Sequence, residues 1–164
     1  MKKKSSKPNP NPGPPPVGKA VPTKGIDSLV RKHLRIGWVG LLVFLTLGIV
    51  LECLHGFKVG YYLDVSNQTR RFMWTLAHAH GTLLALVNIA FAVSAHLMTA
   101  WSIREKTIAS TCLLGATILM PAGFFLGGVF IYGGDPGLGI FLLPVGAVML
   151  LVAVFKTASA IKNA

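Results

Sequence analysis

The chain alternates long apolar stretches with short polar connections. The apolar stretches lie at about residues 36–56, 72–98, 108–132 and 138–155, and none contains an interior Lys or Arg. Each is near the ~20 residues that a helix needs to cross a ~30 Å hydrocarbon layer. A helix of a soluble bundle carries a polar stripe along one face, and these stretches carry none. The alternation of a transmembrane β-barrel is also missing. The pattern predicts an all-α fold, a four-helix transmembrane bundle.

Ahead of the first stretch, residues 1–25 read MKKKSSKPNPNPGPPPVGKAVPTKG. Proline, glycine, lysine and serine at this density predict a disordered cytoplasmic tail of polyproline character, leaving 26–164 as the membrane domain. The first apolar run is too long for the core of a cleaved signal peptide and lacks an A-x-A site. Asp27 and Ser28 predict the start of a short amphipathic lead-in, Leu29 to Arg35, lying along the membrane surface. Gly133-Gly134-Asp135-Pro136-Gly137 predicts a turn, because glycine supplies positive φ and proline stops a helix.

The second stretch has a readable wheel. At about 100° per residue, Gly81, Ala85, Asn88, Ala92, Ala95 and Thr99 share one narrow stripe. Small residues allow a neighbouring helix to approach closely, and Asn88 can hydrogen-bond across the seam. Leu83, Leu86, Ala90 and Leu97 lie opposite and are expected to face lipid. In the third stretch Pro121 predicts a kink, and Gly123-x-x-x-Gly127 is a close-packing motif. Pro144 and Gly146 in the fourth stretch read in the same way.

Composition agrees with a lipid environment. Charged residues make up 13% of the chain, against about 25% in a soluble domain. The net charge of +11 invites a nucleic-acid reading, which the distribution excludes. Nine of the sixteen Lys and Arg precede residue 36, and all lie outside the apolar runs, as topology signals and contacts for anionic lipid do. With Arg104, Lys106, Lys156 and Lys162 on the same side, only Lys58, Arg70 and Arg71 remain opposite. The positive-inside rule therefore predicts cytoplasmic N- and C-termini in a cell (plasma or inner) membrane. Trp38, Tyr61, Tyr62, Trp74, Trp101 and Tyr132 fall near the stretch ends, where an aromatic belt belongs. Cys53 and Cys112 are expected near opposite faces of the bilayer, too far apart for a disulfide. Asn67-Gln68-Thr69 fits a glycosylation sequon on the outer side.

Ionisable groups inside a membrane are costly, which makes them functional candidates. Glu52 and His55 occupy the last outer turn or so of the first stretch, and His78 and His80 the first outer turns of the second. All four therefore share one layer. Glu52 and His55, at i,i+3, share a helix face. Glu-x-x-His is an element of di-iron bundles, but the second such element and the two further glutamates are missing. His78 and His80 are about 200° apart, so only one can face the first stretch. The small-residue seam favours His78.

Two chemical expectations follow. In one, His55 with His78 or His80 provides axial ligands for haem b. In the other, Glu52, His55 and a histidine of the second stretch bind zinc, copper or iron. A third expectation is unspecialised: these side chains reach interfacial water, and Glu52 pairs with Arg70 or Arg71. His33, among Arg31, Lys32 and Arg35, is expected to be a surface cation. His96 lies about 27 Å from His78 along the helix and belongs to no common centre.

The run Ala77-His78-Ala79-His80-Gly81-Thr82-Leu83-Leu84-Ala85 resembles the His-x-His helix start of short membrane relatives of haem–copper oxidase subunit I and of NnrS-like proteins. The resemblance covers this run alone, and Gly81-Thr82 departs from the usual pattern. It implies haem or copper on His78 and His80. The expected function is thus a small multi-pass membrane protein binding haem b or a transition metal near its outer face, within a redox or metal-handling system. The competing expectation is a structural protein without a cofactor. It would assemble with a membrane partner or a second copy through its glycine-rich helices.

Overall fold

A computed structural model describes residues 24–64 and 68–162. The expected tail, apart from its last two residues, and Asn67 of the sequon lie outside the described residues. Four helices follow in order: α1 (Lys24–Gly56), α2 (Thr69–Leu97), α3 (Ile103–Val129) and α4 (Leu142–Lys162). A two-residue antiparallel pair, β1 (Ile131–Tyr132) with β2 (Asp135–Pro136), and a 3-10 turn (Leu138–Phe141) join α3 to α4.

All four helices are long and apolar enough to span a bilayer. Their outer faces leave Leu42, Ile49, Val148 and Leu151 more than half exposed, a surface that is stable only against lipid. The chain is a small multi-pass membrane protein.

α1 packs on α2, α2 on α3 and α3 on α4, so that α1 and α4 flank a central α2–α3 pair. Lipid tails are as apolar as leucine, and helices in a bilayer must gain their contact energy from close approach. The buried positions follow that rule. Ala77, Ala85, Ala92 and Ala95 of α2, Ala109 and Ala116 of α3 and Ala153 of α4 form the interior with Leu84, Phe91 and Leu113. Along α1 the inward stripe is His33, Gly37, Gly40, Phe44, Gly48 and Leu51, at three- and four-residue spacing. A methyl group at Gly81 would stand 2.2 Å from the Phe44 ring. The ring therefore occupies the space that glycine leaves.

Two local features differ from expectation. The lead-in Leu29–Arg35 does not lie along a surface; it is the first part of α1, which runs unbroken from Lys24. The reason is the inward stripe, which begins at His33, while Arg31, Lys32 and Arg35 point outward and are exposed. The α3–α4 turn is tighter than the five-residue segment suggested. Gly133 and Gly134 alone make the reversal, at φ +58° and +98°, as a two-residue hairpin requires.

The helix ends are locally specified. Ser102 caps α3 by accepting a bond from the Glu105 amide at 3.3 Å, and Ser-x-x-Glu is a capping-box sequence. Lys106 donates to the Ala95 carbonyl at 2.8 Å, occupying one of the carbonyls that the end of α2 leaves open.

Candidate functional site

The bundle has two polar regions. One is at the end carrying the α1–α2 loop and the β hairpin. The other is buried nearer the chain termini.

At the hairpin end, the last turns of α1 and the start of α2 line an open cleft of about 740 Å³. Its walls are mainly apolar, with Leu45, Ile49, Leu51 and Phe57, and its polar groups include Glu52, Thr75 and His78. A second cleft of about 350 Å³ shares Leu51, Glu52, Tyr62 and Thr75 with the first and adds His55, Gln68 and Arg71. The two are compartments of one depression. The larger volume lies within the range of small-ligand and cofactor pockets.

His78 is fixed in this cleft. Its Nδ1 lies 2.7 Å from the carbonyl oxygen of Phe44 on α1, so Nδ1 carries the proton and donates. The ring lies against Gly48, where any side chain would collide with it. Nε2 makes no hydrogen bond among the described residues. A histidine held through Nδ1–H on a carbonyl, with Nε2 open, has the tautomer and orientation of a ligand histidine.

His80 points elsewhere. Its Nδ1 bonds the Leu76 carbonyl of its own helix at 2.9 Å, and its ring lies 4.6 Å from Phe124 of α3. It is not among the residues lining either compartment. Glu52 and His55 are both exposed; Glu52 lines both compartments and His55 only the smaller. Among the described residues, Glu52 forms no ion pair with Arg70 or Arg71. No three His, Cys, Asp or Glu side chains group as a metal site among them.

The two arginines of α2 have different surroundings. Arg70 bonds the carbonyls of Gly128 at 3.1 Å and Tyr61 at 2.9 Å and stacks 3.7 Å over the Tyr61 ring. It ties the loop to α3. Among the described residues, Arg71 bonds the Gln68 amide oxygen alone, at 2.8 Å, and it lines the smaller compartment. Beside them Tyr62, Trp74 and Phe125 form a stacked series, with centroids 6.2 and 5.4 Å apart.

The second polar region centres on His33, which is fully buried. Its Nδ1 lies 2.7 Å from Asn88 Oδ1 and its Nε2 2.7 Å from Ser110 Oγ. The donors can be assigned in sequence. Thr117 Oγ1 donates to the Leu113 carbonyl, so it accepts from Asn88 Nδ2, which also donates to the Leu84 carbonyl. Asn88 Oδ1 is then the acceptor, and His33 Nδ1–H the donor. Ser110 donates to Nε2 of the neutral ring. The thread joins α1, α2 and α3, and the Phe91 ring meets the imidazole edge-on at 4.6 Å.

The expectation of a surface cation at His33 therefore fails. Its neighbours in sequence are cations, but its helix face is the one that enters the bundle. The signal that would have found it was the spacing from His33 through Gly37 and Gly40 to Phe44, Gly48 and Leu51.

Of the packing residues expected from sequence, Gly81, Ala85 and Asn88 are buried against α1 and α3. Gly123 and Gly127 are buried too, with space filled from within the chain. A methyl at Gly123 would meet Leu143 and the Gly139 carbonyl, and one at Gly127 would lie near Met73, Pro136 and Ile140.

No family model, curated protein or solved structure matches this chain.

Proposed function

We propose that this membrane protein holds haem b in the hairpin-end cleft, with His78 Nε2 as its axial ligand, and serves a redox system. The observation that carries the reading is the pairing of an oriented imidazole with a cofactor-sized, mainly apolar cleft. A bare transition metal would need several protein ligands. Haem supplies four nitrogens itself and requires only one or two from the protein. That difference favours haem over an ion bound by Glu52, His55 and His78. His80 stands outside this assignment. When bound, haem would supply one-electron chemistry, and His78 would hold and orient it.

The test is a visible spectrum of the purified chain in mild detergent after haem is added. A Soret band is expected in the parent and in His80→Ala, and its loss or shift in His78→Ala. No band in the parent, or an unchanged band in His78→Ala, refutes the reading. Metal analysis of the same samples tests the ion.

The charge distribution supports cytoplasmic termini; in that orientation the cleft would open at the outer face of a plasma or inner membrane, with the basic tail against anionic lipid. In a Cys53→Ser, Cys112→Ser background, which removes the two free thiols, Lys58→Cys should then react with a membrane-impermeant maleimide on intact cells, and Arg104→Cys should not. The reverse pattern would invert the topology.

A further inference from the structure

The axial role of His78 leaves the polar compartment unexplained. Glu52 and Arg71 both line it without pairing with each other, and Asp64 lines the next small cavity beside Arg71. Arg70, the next residue, has its guanidinium engaged by two carbonyls and a tyrosine ring. Among the described residues, Arg71 donates to one amide oxygen, that of Gln68. A guanidinium kept at a membrane rim with most of its fork unused is ready for a planar anion, which it binds through two parallel hydrogen bonds.

We propose that Arg71, oriented by Gln68, binds a carboxylate carried on the edge of the ligand. The ligand is then an amphiphile, with an apolar plate in the larger compartment and an acidic arm in the smaller. Leu51, Glu52, Tyr62 and Thr75 line both compartments, so the two adjoin and an arm on the ligand's edge reaches from one toward the other. Glu52, on α1, repels the same arm and directs it toward α2. The proposal rests on the haem reading and adds to it the group by which the ligand is oriented.

The experiment compares haem b with its dimethyl ester, in which both carboxylates are capped. Each is titrated into the full chain in detergent, for the parent, Arg71→Leu and Arg71→Gln. The parent should bind haem b about tenfold more tightly than the ester, the size expected of one charge-assisted contact. Both variants should bind the two ligands equally, with the Soret position unchanged because His78 is intact. Equal binding by the parent, with a normal Soret band, overturns the role of Arg71 and leaves His78 standing. A preference that persists in the variants does the same. No Soret band with either ligand overturns both readings. If Arg71→Leu fails to fold, the parent comparison and Arg71→Gln still decide.

Discussion

Replacing Asn88 by alanine should destabilise the bundle more than any other single change in the His33 thread. Asn88 is fully buried and makes two interhelical bonds, to His33 and to Thr117, besides one to its own helix. Interhelical side-chain bonds in membranes average ~0.6 kcal/mol and reach ~1.7 kcal/mol. Two of them account for about 1–3 kcal/mol. Alanine also leaves His33 Nδ1–H without an acceptor, a further penalty of about 1–3 kcal/mol for a buried donor. The expected total is about 2–4 kcal/mol, because the terms overlap. Ser110→Ala removes one bond and should cost about 1 kcal/mol. The assay is unfolding in mixed micelles by a denaturing detergent, followed by far-UV circular dichroism. A double-mutant cycle between His33→Ala and Asn88→Ala should give a coupling of about 0.5–2 kcal/mol. Additivity within about 0.3 kcal/mol would mean that the two side chains do not meet. So would a larger loss for Ser110→Ala than for Asn88→Ala.

Five further substitutions test the packing and its polar contacts. Gly81→Ala places a methyl 2.2 Å from the Phe44 ring and should cost about 1–3 kcal/mol by overpacking. Gly56→Ala, with open space around it, should be close to neutral in the same unfolding assay. Thr82 Oγ1 is buried without a hydrogen-bond partner, so Thr82→Val should be neutral or stabilising by about 1 kcal/mol. A clear loss there would show that the hydroxyl is used. Lys106→Met removes the bond to Ala95 at a buried site and should cost about 1–3 kcal/mol. Lys156→Met breaks a 2.7 Å ion pair with Glu105 that is about one-third exposed, and should cost at most about 1 kcal/mol. Thermal unfolding in detergent would rank the pair.

The four helices were legible because the bilayer imposes a length and a composition on each. Their boundaries were less so. The start of α1 carries charges that argue for a surface, and only the period of its inward face shows otherwise. The stripe of small residues on α2 was also legible, since burial in lipid selects for size as well as polarity. Gly81, Ala85, Asn88, Ala92 and Ala95 are all buried, and Leu83 and Leu97 face outward. Counting turns put Glu52, His55, His78 and His80 in one layer, whereas the His78 ring meets Phe44 and Gly48, about two turns of α1 away from His55. Their azimuth needed tertiary structure, apart from the inclination of His78 toward α1. No pattern in the sequence shows that Gly48 makes room for the His78 ring, or that Arg70 bonds two backbone carbonyls while Arg71 bonds the Gln68 side chain.

The contrast between His33 and His78 states what a membrane interior asks of an imidazole. Both rings use Nδ1 as a donor, at 2.7 Å in each case. At His33 the second nitrogen is satisfied by Ser110, a residue on a third helix. Every polar atom of that thread has a partner, and its effect is on register and stability. At His78 the second nitrogen has no partner among the described residues, and the space beside it is a cleft. That nitrogen opens on the cleft, so replacing His78 by an apolar residue of similar size removes chiefly the one bond to Phe44, at a cost of about 1 kcal/mol or less. By that reasoning His78→Leu should unfold close to the parent without ligand, whereas His33→Leu should not. If haem then stabilises the parent and leaves His78→Leu unchanged, the open nitrogen is where the ligand binds.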